Sequence, residues 1–198
     1  MVKIISLFQR NYDGDRLVRD ELVTGAEWVA NGEGVATRKW DGTCCRIKDG
    51  KLYRRYDAKQ GKTPPPGFEP AQDYDPITGH MPGWIEVGDG PEDKWHRIGW
   101  ENTKSKFPEG DWPGDIEATF ELCGPHIQGN PECEPQEILI RHGSGGLEEE
   151  PPRDFAGLKE FFSRYPIEGI VWHHPDGRMV KIKGKDFGVK RKSLELVS

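Results

Sequence analysis

Residues 35–57 read VATRKWDGTCCRIKDGKLYRRYD: three short β-patterned runs separated by two Asp-Gly pairs. β-Branched and aromatic residues recur over 35–39, 43–48 and 51–57, and Asp41-Gly42 and Asp49-Gly50 are dipeptides suited to tight turns. The segment therefore predicts consecutive hairpins, an antiparallel meander. Further strands are expected over 116–122, 137–141, 169–173 and 179–182, the last two joined by a turn at Asp176-Gly177. The clearest helix is 155–165, where Asp154 can cap and Phe155, Leu158, Phe161, Phe162 and Tyr165 fall on one apolar face. A weaker helical pattern spans 19–29.

Outward from these elements, 198 residues suffice for one domain and are few for two that each bury a large core. The whole chain, 1–198, is expected to be a single catalytic or binding domain. The formal charge of −6 argues against a general polyanion binder. Its distribution argues otherwise. Residues 38–62 hold nine basic and three acidic side chains, and 178–192 hold seven and one, so the rest of the chain carries a charge of −18. Two basic segments on an acidic chain suggest a localised anion site if folding joins them, or else two solvated faces.

Residues 58–115 contain nine of the sixteen prolines and nine glycines, which predicts loops and short strands, not long helices. Trp84, Trp95, Trp100 and Trp112 are too apolar for a tether, so this stretch reads as an elaboration with its own packed subcore, although an exposed Trp could stack on a base. The early apolar run at 4–8 is interrupted by Ser6 and followed by Arg10, unlike a signal peptide or membrane span, and a cytoplasmic protein is expected. Cys44, Cys45, Cys123 and Cys133 form no CxxC pattern. Cys123, His126 and Cys133 lack a fourth zinc ligand at familiar spacing.

The chemistry begins at Lys39-Trp40-Asp41-Gly42. A strand-end lysine beside a glycine can be presented as a nucleophile, and burial or nearby positive charge would lower its pKa; Asp41 could hold a divalent cation. In Phe120-Glu121-Leu122-Cys123-Gly124, Glu121 is a lone carboxylate among apolar neighbours, either a ribose or metal contact or an ordinary outward-facing residue. Glu168 precedes the apolar Gly169-Ile170-Val171. In Val180-Lys181-Ile182-Lys183 both lysines project from one strand face while Val180 and Ile182 enter the core. Two like charges there are costly unless an anion such as phosphate neutralises them.

KWDG, FELCG, EGIV and VKIK, in this order, resemble motifs I, III, IV and V of the covalent nucleotidyltransferases: ATP-dependent DNA ligases, RNA ligases and mRNA capping enzymes. The sequence is most similar to the vertebrate-type 5'-to-3' RNA ligases, also through Ala36-Thr37, residues 41–45 and 80–84, Gly129-Asn130-Pro131, His142-Gly143 and 167–173. The similarity spans roughly 35–188.

The resemblance implies an α+β adenylation domain whose antiparallel sheets form a nucleotide cleft, here without an OB-fold. It also implies an ATP-dependent RNA ligase joining 5'-phosphate and 3'-hydroxyl RNA ends through lysine-AMP and an adenylated RNA 5' end. Lys39 would be the nucleophile, with Mg2+ or Mn2+ at Asp41 and Glu168. Lys181 and Lys183 would contact the α-phosphate, Glu121 the ribose, Arg55 ribose or an incoming phosphate, and Val171 one wall of the adenine pocket. The strand over 137–141 resembles motif IIIa but offers Ile138 and Ile140 instead of an aromatic. Arg54, facing opposite to Arg55, would be structural. Lys185, Lys190, Arg191 and Lys192 are candidates for RNA contact or a solubilising basic tail. DNA sealing, guanylyl transfer in capping, and nucleotide-dependent RNA binding without turnover remain the alternatives.

Overall fold

The computed structural model describes residues 3–76, 78–107 and 117–192; Trp112 and the segment after Lys192 lie outside these. In chain order the strands are β1 (Ile5–Ser6), β2 (Phe8–Arg10), β3 (Val18–Leu22), β4 (Val35–Lys39), β5 (Thr43–Lys48), β6 (Lys51–Lys59), β7 (Glu69–Pro70), β8 (His80–Glu86), β9 (Ala118–Cys123), β10 (Ile138–Arg141), β11 (Gly169–His173) and β12 (Met179–Lys183). The helices are α1 (Glu27–Ala30), α2 (Lys94–Lys104) and α3 (Phe155–Arg164). This is an α+β chain with largely antiparallel sheets. No helix among the described residues is long and apolar enough to cross a membrane.

The described residues form two compact units, one from those within 1–3 and 41–142, the other from those within 4–40 and 143–192. In the second, the sheet runs β1-β12-β11-β4, antiparallel except that β1 lies parallel to β12. Strands β2 and β3 form a separate pair. Alternation along β11 and β12 buries Ile170, Trp172, Val180 and Ile182 against Leu158, Phe161 and Phe162 of α3. α3 begins where expected: the Asp154 carboxylate accepts the Gly157 N–H at 2.9 Å.

The other unit carries a sheet in the order β10-β9-β5-β6-β8-β7. Cys45, Ile47, Leu52, Phe120, Leu122 and Leu139 make its core, with Trp95 and Trp100 of α2 packed on it. Trp84 of β8 is 1% exposed, so these three tryptophans pack as expected.

Three expectations require correction. The hairpin predicted across Asp41-Gly42 does not form: β4 pairs with β11, while β5 pairs with β6 and β9. Gly42 is there for close approach, since a Cβ on it would lie 2.1 Å from the Leu122 carbonyl oxygen. The next pair, Asp49-Gly50, is the genuine hairpin turn, with φ of 51° and 71° matching the left-handed type I′ requirement. The helix over 19–29 is replaced by β3 and the one-turn α1, separated at Gly25 with φ 90°. Pairing of β3 with β2 overrides the local pattern. Within 58–115 the expected loops and short strands are joined by the eleven-residue α2, which the composition does not predict. Its Gly99 faces the sheet, where a Cβ would lie 2.3 Å from Leu122 Cδ1, so the glycine lets the helix sit close to β9.

Candidate active site

Strand register brings one set of the predicted residues together in the unit containing 4–40 and 143–192. Gly169 of β11 lies opposite Lys39 of β4 on one side and Lys183 of β12 on the other. The preceding residue, Glu168, therefore emerges between two lysines brought from positions 129 and 15 residues away. One carboxylate oxygen pairs with Lys39 Nζ at 2.5 Å and the other with Lys183 Nζ at 2.5 Å. Lys39 Nζ also donates to the Trp40 carbonyl at 3.3 Å. A Cβ at Gly169 would lie 2.3 Å from the Ile182 carbonyl oxygen, so glycine permits this close strand packing. The end of β12 is pinned by Asp186, whose Oδ2 accepts the Lys183 N–H at 3.1 Å while Oδ1 pairs with Arg10.

The charges in this cluster perturb one another. Burial tends to raise the Glu168 pKa, but Lys39 and Lys183 outweigh it and hold the carboxyl below its usual range. Lys181, on the same strand face as Lys183, is pushed down to about 8, first by burial and then by the positive charges of Lys183 and Lys39. Lys39, Lys181 and Lys183 thus gather around Glu168, with Asp186 nearby but itself paired with Arg10, a cluster suited to accept an anion.

The second set of predicted residues lies in the unit containing 41–142. Glu121 is not outward-facing: it is 7% exposed, and Oε1 accepts the Gly42 N–H at 3.0 Å. Its other oxygen, Oε2, lies 2.9 Å from His142 Nε2, whose Nδ1 is 3.0 Å from Thr119 Oγ1. The Asp41 N–H donates to Glu132 Oε1 at 2.9 Å. Burial, and then the carboxylates of Glu121, Glu132, Glu134 and Asp41, push the Cys123 thiol far up. Arg55 and Arg54 divide as expected from strand alternation. Arg54 pairs with the buried Asp93 at 2.8 Å, whereas Arg55 reaches Asp57 at 3.2 Å, stands over the Trp84 ring, and lines a cavity of about 290 Å³ with Gln72, Thr78 and His80.

Val171 is buried, opposite Thr37 and Lys181 in its sheet. On β10, Ile138 is buried and Ile140 half-buried. Lys185, Lys190 and Lys192 are exposed, but Arg191 is half-buried and donates to the Pro166 carbonyl at 2.7 Å, which gives it a structural contact. Cys123, His126 and Cys133 form no metal-ligating group among the described residues. Cys44, Glu121 and His142 instead bring their ligand atoms within 4.8 Å of one another, a grouping that sequence reasoning missed. Cross-strand register is the signal that could have found it, because Cys44 and Ile140 both lie opposite Glu121.

The family model described as RNA ligase 1 matches residues 114–197, which contain Glu121, Glu168, Val171, Lys181 and Lys183. The chain is similar to RNA ligase 1. RNA ligase 1 of Mus musculus is 27% identical over 221 aligned positions, covering 78% of this chain and 67% of the mouse protein. RNA ligase 1 of Rattus norvegicus is 26% identical with the same coverage, and that of Danio rerio is 25% identical over 79% of this chain and 68% of its own length. The resemblance to the vertebrate-type RNA ligases is thereby borne out at modest identity; FELCG, EGIV and VKIK lie within the span of the family model and KWDG lies before it.

Proposed function

We propose that this chain is an ATP-dependent RNA ligase that joins 5'-phosphate and 3'-hydroxyl ends through a lysine-AMP intermediate. The observation that supports it most is the meeting of Lys39, Glu168, Lys181 and Lys183 at one point of the four-stranded sheet. In the first step Lys39 Nζ attacks the ATP α-phosphorus. A P–N bond forms, the bond to the bridging oxygen breaks, pyrophosphate leaves and the amine gives up a proton. An oxygen of the RNA 5'-phosphate then attacks the same phosphorus, releasing Lys39 and leaving AMP on the RNA end. Attack of the 3'-hydroxyl on the RNA 5'-phosphorus finally forms the phosphodiester and expels AMP.

Lys39 needs a lone pair, yet its pairing with Glu168 favours the ammonium. Engagement of Glu168 by another partner removes that counter-charge, while Lys181 and Lys183 continue to favour the neutral amine and receive the α-phosphate oxygens. Glu168 and Asp41 carry hard carboxylate oxygens of the kind Mg2+ or Mn2+ takes, so these are the side chains that would hold such an ion, Glu168 by exchanging a lysine partner for it. Such an ion, when bound, offsets phosphate charge. The proposal gives Glu121 the ribose, Arg55 ribose or an incoming phosphate, Val171 the adenine, and Lys185, Lys190 and Lys192 the RNA.

The test is incubation with Mg2+ and α-labelled ATP or GTP, followed by a denaturing gel. ATP should leave a covalent label that Lys39→Ala abolishes. A folded protein unlabelled by either nucleotide excludes this reaction, and a label from GTP alone would indicate capping chemistry. Comparison of 5'-phosphorylated RNA and DNA ends then decides the polymer.

A further inference from the structure

The unit containing 41–142 holds a cluster whose chemistry differs from that of the lysine site. Cys44 of β5 lies directly opposite Glu121 of β9, and His142 follows β10, whose Ile140 lies opposite Glu121 on the other side. Three strands thus deliver a sulfur, a carboxylate oxygen and an imidazole nitrogen that all lie within 4.8 Å of one another. Ligand atoms around a tetrahedral zinc ion stand roughly 3.3–3.8 Å apart, given Zn–N/O bonds near 2.0 Å and Zn–S near 2.3 Å. Binding would therefore draw the more distant atoms in and open the 2.9 Å contact between His142 Nε2 and Glu121 Oε2.

We propose that Cys44, Glu121 and His142 form a binding site for a zinc-class transition-metal ion, with a fourth position left to water. The donor set carries the choice of ion. One thiolate and one imidazole select Zn2+ or Co2+, whereas Mg2+ prefers oxygen donors throughout. The surroundings are also those of a supported site. Thr119 Oγ1, 3.0 Å from His142 Nδ1, can accept its proton and aim Nε2 inward, and the Gly42 N–H holds the other oxygen of Glu121. In the metal-free form the 2.9 Å contact between His142 Nε2 and Glu121 Oε2 requires a proton. On binding, the imidazole proton passes from Nε2 to Nδ1, where Thr119 Oγ1 accepts it, the Cys44 thiol releases its proton to solvent, and the ion takes up both vacated lone pairs. Affinity therefore rises with pH. Under the proposed ligase function Glu121 also serves the ribose, so ion and nucleotide would exclude one another at Oε2; the metal site itself does not depend on that function.

Titration of the chelator-stripped full chain with Co2+ in excess Mg2+ tests the site through a spectrum, so failure of the ligase reading would leave this result standing. We expect a thiolate-to-cobalt charge-transfer band in the near ultraviolet, saturating at one equivalent and bleached by Zn2+. Cys44→Ser should lose the band, His142→Gln should weaken Co2+ binding at least about tenfold, and Cys133→Ser should keep the band, each variant being checked for native circular dichroism. Absence of the band in the native chain, its persistence in Cys44→Ser, or its suppression by Mg2+ would overturn the proposal.

Discussion

Lys181 is the residue at which charge and function are most tightly joined. Its pKa, lowered to about 8, means that the cluster loses a positive charge as the pH rises through that value. A bound phosphate anion reverses the perturbation, because negative charge favours the ammonium. ATP binding above pH 8 should therefore draw a proton from solvent, whereas well below pH 8 Lys181 is already charged and should take up none. Calorimetry in buffers of different ionisation enthalpy measures this uptake, and Lys181→Arg should abolish it, because a guanidinium stays charged throughout. Uptake that survives Lys181→Arg would assign it to another group. At this scale Lys181 and Lys183 were legible in sequence, because alternating charge on a strand is a local pattern, whereas Lys39 and Glu168 stood out through the motifs they resemble and their pairing is visible only in the register of β4, β11 and β12. The Cys44–Glu121–His142 cluster was not, since its members come from three strands and meet only through register.

Among the elements, two identical Asp-Gly pairs take different roles. Asp49-Gly50 turns a hairpin, while Gly42 packs against the Leu122 carbonyl 80 residues away, a partner that no local reading supplies. Likewise α2 is hidden by the prolines and glycines around it, although Gly99 is what allows its contact with β9. α3 was legible because its cap and apolar face both lie within the helix; Asp154→Ala should cost about 1 kcal/mol, read as a lower midpoint in urea. Gly169→Ala tests the active-site sheet. Its Cβ would meet the Ile182 backbone, so overpacking of about 1–3 kcal/mol is expected. The variant should also label with ATP more slowly, because β11 and β12 must spread where Lys39, Glu168 and Lys183 meet. A Gly169→Ala protein of native stability and labelling rate would show that the close packing is dispensable.

For the molecule as a whole, the charge of −6 hides two basic segments, and these carry Lys39, Arg55, Lys181 and Lys183. An acidic remainder should disfavour RNA elsewhere on the surface. Binding of single-stranded RNA should weaken linearly in log affinity with log salt, with a slope near −0.7 for each phosphate neutralised. Replacing the exposed Lys190 and Lys192 by Ala should make that slope shallower by about 1.4 if both meet phosphate. An unchanged slope would mark them as a solubilising tail. Arg191 belongs to a different class, because its Nε is committed to the Pro166 carbonyl.

The central claim is that Lys39 forms a covalent bond to AMP. Peptide mapping by mass spectrometry after incubation with ATP and Mg2+ measures it most directly. The account predicts one AMP on the peptide containing Lys39 and none on those containing Lys181 or Lys183. An adduct on either of those lysines, or a folded protein with no adduct at all, would contradict it.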